Sequence, residues 1–211
     1  MDASPPHASL IEAFAAALGK DQLSPDEYGF ASQVLEDAHP DDLPDELTPR
    51  DFAAVLAGFW SFAGEPKGDT AHVRLRHALG ADGQPVPLEV LEIVQDDAPF
   101  LVDSVLGELG ARRLELKGMV HPVLTVARDA AGVRQPGKGT IRESLILVLL
   151  APVGDDRREA ALEGVRGVLA DVHAAVEDFP AMTALMRQAI DDLGSSPVPA
   201  QTMGSRSSWP S

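Results

Sequence analysis

Cysteine is absent from the 211 residues, which excludes disulfides, thiolate metal sites and cysteine nucleophiles. Asparagine is absent too, and only four of the 17 basic residues are lysines. With abundant Ala, Gly, Arg and Asp, this usage fits a G+C-rich bacterial coding sequence. Positive charge is scarce, the formal net charge being −16. Nucleic acids and anionic membranes are bound by clustered Lys and Arg that displace counterions, so neither partner is expected. No apolar run is long enough to span a bilayer, and the N-terminus MDASPPHASLIEAF lacks the basic-then-apolar order of a leader. The expected location is the cytoplasm. GxxxxGK[ST], HExxH and GxSxG are all missing. His7, His39, His72, His77, His121 and His173 show no ligand spacing with carboxylates, so no metal site is expected.

What the chain does have is a stretch from Leu88 to Asp129, LEVLEIVQDDAPFLVDSVLGELGARRLELKGMVHPVLTVARD. An apolar run suited to a strand leads into an acidic turn closed by Pro99. Leu101, Val102, Val105, Leu106 and Leu109 then recur at helical spacing. Asp96 and Asp97 stand where a carboxylate can cap the helix start, and Gly110 supplies a residue able to take a left-handed conformation at its end. From Leu114 the pattern turns to period two, with Leu114, Leu116, Gly118 and Val120 alternating against Arg113, Glu115, Lys117 and Met119. Pro122, after His121, removes a ladder donor and predicts a bulge, kink or edge there.

Ahead of this stretch, three helices are expected: Leu10 to Leu18, Pro25 to Ala38 opened by Ser24, and a third started by Thr48 and Pro49 and running to Gly64. They concentrate much of the aromatic content, which predicts packing on one another and on the sheet that follows. HVRLRHAL, from His72, reads as a strand. Beyond Asp129, a Gly-rich loop to Thr140 joins two strand patterns as an antiparallel hairpin, and SLILVLLAPV from Ser144 suits a strand covered on both faces. Leu162 to Val176 returns to helical spacing and is expected to end before Pro180, with one more helix from Met182 to Leu193. The Ser-, Pro- and Gly-rich end is expected to be disordered.

The core order of strand, helix, strand, strand, helix predicts an α+β sandwich, with a mainly antiparallel sheet and helices on one face. A helical arm (1–66) precedes the α+β domain (67–193) and a tail (194–211). The one acidic group placed to suggest function is Asp96, Asp97 and Asp103, at a strand-to-helix turn whose N–H groups can hold a carboxylate. Capping of the helix by Asp96 or Asp97 is the competing expectation.

QDDAPFLVDSVLGEL, VHPVLTVARDAAG, RESLILVLL and VLADVHAAVEDFPAM, in this order, resemble the N-terminal region of the large bacterial NAD-specific glutamate dehydrogenases. The resemblance covers roughly Phe52 to Leu193, and the arm before it fits more loosely. It implies an ACT-like, ferredoxin-like module preceding a catalytic part that oxidatively deaminates L-glutamate to 2-oxoglutarate with NAD. The module itself is expected to hold no cofactor and no catalytic residue. Its implied role is regulatory or oligomerising, its partners the remaining domains of the parent enzyme or a second copy. DxPFLVDSV also resembles the DxPGLL turn with which ACT domains bind amino acids, which makes Asp96, Asp97, Phe100 and Asp103 the candidate ligand-binding positions for an amino-acid effector. Pro99, Gly110, His121 and Pro122 are expected to be structural. Phe100 replaces the Gly of that turn, and its bulk is expected to crowd a ligand. The alternative is a free-standing amino-acid sensor. The chain stops where the family continues, which gives the expectation of a truncated or isolated segment.

Overall fold

The computed structural model describes residues 6–37 and 43–195, beginning with the helices α1 (Pro6–Ala17), α2 (Pro25–Asp37) and α3 (Pro49–Gly64). Ser24 opens α2 as a capping box: its hydroxyl accepts from the Glu27 N–H at 3.3 Å, and the Glu27 carboxylate accepts from the Ser24 N–H at 2.8 Å. Thr48 does the same work for α3, accepting from the Asp51 N–H at 3.2 Å, with Pro49 in the first turn. Phe30 joins the three helices, its ring centroid 5.7 Å from Phe14, 6.1 Å from Phe59 and 5.0 Å from Trp60.

The remaining elements are β1 (His72–Leu79), β2 (Pro85–Asp96), α4 (Leu101–Ala111), β3 (Leu116–Val120), β4 (Val123–Arg128), β5 (Arg134–Gln135), β6 (Ile141–Leu150) and α5 (Asp155–Ser195). The sheet order is β1-β2-β6-β4-β5, with β3 also beside β6, and every pairing is antiparallel. In a βαββαβ plait the last strand lies beside the first. Here β1, made before the plait begins, holds that edge beside β2.

Strand alternation divides the two central strands between two layers. Val90, Val94, Leu145, Leu147 and Leu149 join Phe14, Phe30, Phe52 and Phe59 in one core with α1–α3. Leu91, Ile93, Ile146 and Val148 point the other way and are equally buried. On that side α4 buries Leu101, Val105 and Leu109, and the first part of α5 buries Ala161, Val165 and Leu169. The two helices touch closely enough that a Cβ on Gly164 would collide with Glu108 and Arg112. Thus α4 and α5 make the helical layer of the plait, and the arm covers its other face.

Several expected details come out differently. The left-handed residue ending α4 is Arg113 (φ 55), not Gly110. Arg113 N–H donates to Gly110 O and Leu114 N–H to Leu109 O, both at 2.9 Å, a Schellman closure sealed by the buried Leu109 and Leu114. Gly110 lies within the helix. Leu116 is exposed, because a register shift between Leu116 and Gly118 breaks the alternation. The Gly-rich loop contains the short β5. Pro180 does not end a helix: α5 runs through it as one element, at the loss of the single backbone bond that Pro180 has no N–H to make.

The chain divides into compact units Met1–Ala174 and Ala175–Ser211. The first holds the sheet, α1–α4 and α5 up to Ala174; the described part of the second is helix over 175–195. His39, part of the Pro- and Asp-rich connector and the expected tail from 196 onward lie outside the described residues.

The β4–β5 turn packs directly on the link before β1. Gly132 has φ 78, its carbonyl accepts from Lys67 N–H at 3.1 Å, and a Cβ there would collide with the Lys67 backbone. Gly132→Ala is therefore expected to destabilise the fold by about 2–4 kcal/mol in urea unfolding, since both strain and a backbone clash act. Gly68→Ala, which meets open space, should stay within about 0.5 kcal/mol.

Candidate functional site at the β2–α4 joint

Asp96 and Asp97 are neighbours in sequence, but strand alternation sends them to opposite sides of the sheet. Asp96 meets Lys67 Nζ at 2.7 Å, and the same ammonium lies 3.6 Å from the buried Glu143, the residue opposite Asp96 on β6. Asp97 turns to the other side. Its backbone N–H donates to Arg142 O at 2.9 Å, and its carboxylate accepts from Ser144 Oγ at 2.7 Å and from Arg142 Nη2 at 2.9 Å. Neither acid caps α4. The N-cap is Phe100, which makes no side-chain cap bond, because both carboxylates already have partners elsewhere.

Pro99 and Phe100 form the turn. Phe100 sits at φ 69, ψ 3, in the left-handed region, where Gly is favoured because a Cβ is strained there. Its ring is 70% exposed. Asp103 is exposed in the first turn of α4, which also carries the buried Leu101.

His121 and Pro122 occupy the break between β3 and β4. The register survives it, with Val120 opposite Leu147 and Val123 opposite Ser144, and Leu145 N–H donates to Pro122 O at 3.0 Å. On the outer side α2 supplies acceptors: the His121 N–H donates to Asp37 Oδ2 at 2.8 Å and the Val123 N–H to Gln33 Oε1 at 3.0 Å. The His121 ring reaches Ser144 Oγ through Nε2 at 3.1 Å. Ser144 has one proton and gives it to Asp97, so the imidazole Nε2 carries the hydrogen of this second bond. The sequence of contacts is Asp97, Ser144, His121. A nucleophilic triad needs the imidazole between acid and hydroxyl, and here the fully buried Ser144 stands in the middle. The arrangement is a clasp.

Its electrostatics agree. Burial pushes the Asp97 carboxyl up, but the hydrogen bonds from Ser144 and Arg142 and the charge of Arg142 outweigh it, holding the group below its usual value. Burial pushes the His121 imidazole down, against the pull of Asp37 and Asp97. Among the described residues, no group of three or more His, Asp and Glu is placed to hold a metal ion.

Residues 30–165 match the family model of the glutamate dehydrogenase ACT1 domain. The chain belongs to that family. An NAD-specific glutamate dehydrogenase of Halomonas elongata is 34% identical over 114 residues, 49% of this chain and 7% of that protein. One from Pseudomonas aeruginosa is 30% identical over 173 residues, 75% of this chain and 11% of that protein. The chain thus spans about a tenth of the length of these curated relatives.

Sequence reasoning overlooked four carboxylates that the fold buries, Glu89, Glu92 and Glu143 within the ACT1 domain and Glu27 just ahead of it. Glu92 is held by Arg74 and Arg76 of β1, Glu89 by both terminal nitrogens of Arg158 at 2.8 Å, and Glu143 by Arg128 at 2.7 and 2.9 Å. The available signal was Glu inside the apolar runs LEVLEIV and RESLILVLL, with the alternating arginines of HVRLRH available to Glu92. His72 and His77 do point to opposite faces of β1, His72 stacking on Phe62 and His77 meeting Glu89 at 2.9 Å.

Two predictions follow from the joint. A depressed carboxylate pKa means stability that is present above the unfolded value of 3.8 and lost as pH falls through the lower folded value. Asp97→Asn should flatten the acid limb of a melting-temperature profile taken from about pH 7 to about pH 2, and an unchanged limb would refute the assignment. Phe100→Gly should raise stability by about 0.5–1 kcal/mol, because it relieves the left-handed strain while an exposed ring loses little packing. Chemical denaturation of the two proteins measures it.

Proposed function

We propose that this ACT1 domain is a regulatory or oligomerising segment of an NAD-dependent glutamate dehydrogenase and does not itself catalyse. Its parent would convert L-glutamate, NAD and water to 2-oxoglutarate, ammonium and NADH, with NAD held outside this segment. The observation that carries the reading is the commitment of the β2–α4 joint to internal bonds: Asp97 is engaged by Ser144 and Arg142, and Asp96 by Lys67. A joint used in this way transmits position between layers. Family membership and the relatives' names support the enzyme assignment. The role is to present surfaces to the rest of the enzyme or to a second copy and so bias its assembly.

A free-standing amino-acid sensor is the second reading, and one observation favours it. The first turn of α4 has no side-chain cap, which leaves backbone donors for a ligand carboxylate. Calorimetry of the purified chain against the amino acids separates the two readings. Silence across the panel supports the assembly segment, whereas millimolar or tighter binding that Asp97→Ala abolishes supports the sensor. In a parallel absorbance assay, NADH formed from glutamate by the chain alone would overturn the non-catalytic assignment.

A further inference from the structure

Of the nine large apolar side chains exposed among the described residues, five fall between Phe179 and Ile190 in the second unit. Their spacing is ordered. Val165, Leu169, Val172, Val176, Phe179, Thr183, Met186 and Ile190 succeed one another at alternating steps of four and three residues, the heptad repeat of a left-handed coiled coil. The repeat runs through α5 without a skip. Over the first unit it is the buried stripe, Val165, Leu169 and Val172 being nearly inaccessible. Over the second unit Phe179, Met186 and Ile190 of the same row are open, 63%, 66% and 64% exposed, Val176 and Thr183 are half-buried, and Met182 is exposed beside them.

We propose that this stretch of α5 pairs with the same stretch of a second copy of the chain. Two properties fit an identical helix as the occupant. A 3.5-residue seam interlocks with a helix of the same period, which a second copy supplies by construction. The charges are also arranged for self-pairing: with Val176, Thr183 and Ile190 at a and Phe179 and Met186 at d, the acids Glu177, Asp178 and Asp191 fall at b or c. In a chain of net charge −16, this keeps like charges off the seam. The g positions Ala175, Met182 and Ala189 are apolar, and Arg187 is the one charge at e. Thr183 brings no unmet polar group, because its hydroxyl donates to Phe179 O at 2.8 Å. Leu185 lies at c, outside the seam. The contact is isologous, closing as a dimer with two-fold symmetry.

The inference rests on the assembly reading above and gives it a surface. The test uses the full chain, whose lack of cysteine lets single thiols report contacts. Light scattering across a concentration series should give a mass approaching twice 22.3 kDa, and the double substitution Phe179→Glu and Met186→Glu should return the monomer with the sheet's circular dichroism and melting behaviour intact. Thr183→Cys should crosslink on oxidation, and Gln188→Cys, on the opposite face, should not. A wild-type chain monomeric at all concentrations overturns both this surface and the self-assembly reading. A dimer that forms while Thr183→Cys stays uncrosslinked and the double variant still pairs overturns only the surface.

Discussion

Three carboxylates sit on the two central strands with almost no access to water, and each is neutralised by an arginine from a different neighbour. Glu92 draws on β1, Glu89 on α5 and Glu143 on β4. Burying an ion pair is an expensive way to gain stability, since desolvation offsets much of the attraction, but breaking one leaves a bare buried charge at about 3–5 kcal/mol. Such pairs therefore punish alternatives. If β1 slipped by one residue, Arg74 and Arg76 would turn to the other face and strand Glu92. The periphery is held in register to β2 and β6 by this constraint, and hydrophobic burial fills in around it.

The second arginine layer closes the arm onto the sheet. Arg128 reaches past Glu143 to the carbonyls of Ala63 and Glu65 at the end of α3, and Arg134 donates to Trp60 O while its guanidinium lies 3.5 Å over the Trp60 ring. Cations at a helix C-terminus meet both free carbonyls and the negative end of the dipole. Crowding has a cost: burial and the neighbouring Arg128 bring the Arg134 pKa down to about 10. With Gln33 and Asp37 satisfying the donors around Pro122, the arm caps the gap that proline opens as well as covering a face.

Much of the architecture was legible because it is written in short-range terms. Ser24 and Thr48 announce helix starts, the four-residue spacing of Leu101, Val105 and Leu109 gives the buried face of α4, and the unbroken apolar run from Leu145 marks a strand covered twice. What escaped depends on distant partners. Asp97 reads as a helix cap until Ser144, 47 residues away, takes its carboxylate. Gly110 reads as the left-handed terminus, but α4 keeps one more turn position and Arg113 accepts the strain in exchange for the Leu109–Leu114 seal. Pro180 reads as a stop only if local backbone preference outweighs the apolar stripe that continues on both sides of it.

The place of β1 at the sheet edge bears on how the polypeptide is made. All six strands of the described residues have left the ribosome once Leu150 has, and each finds its neighbours within the chain up to Leu150. A plait whose last strand followed α5 would wait, with an open edge beside β2, for the chain to return. Here the sheet has all its strands before α5 emerges to fold onto it, and α5 carries no obligation to bring the chain back to that edge.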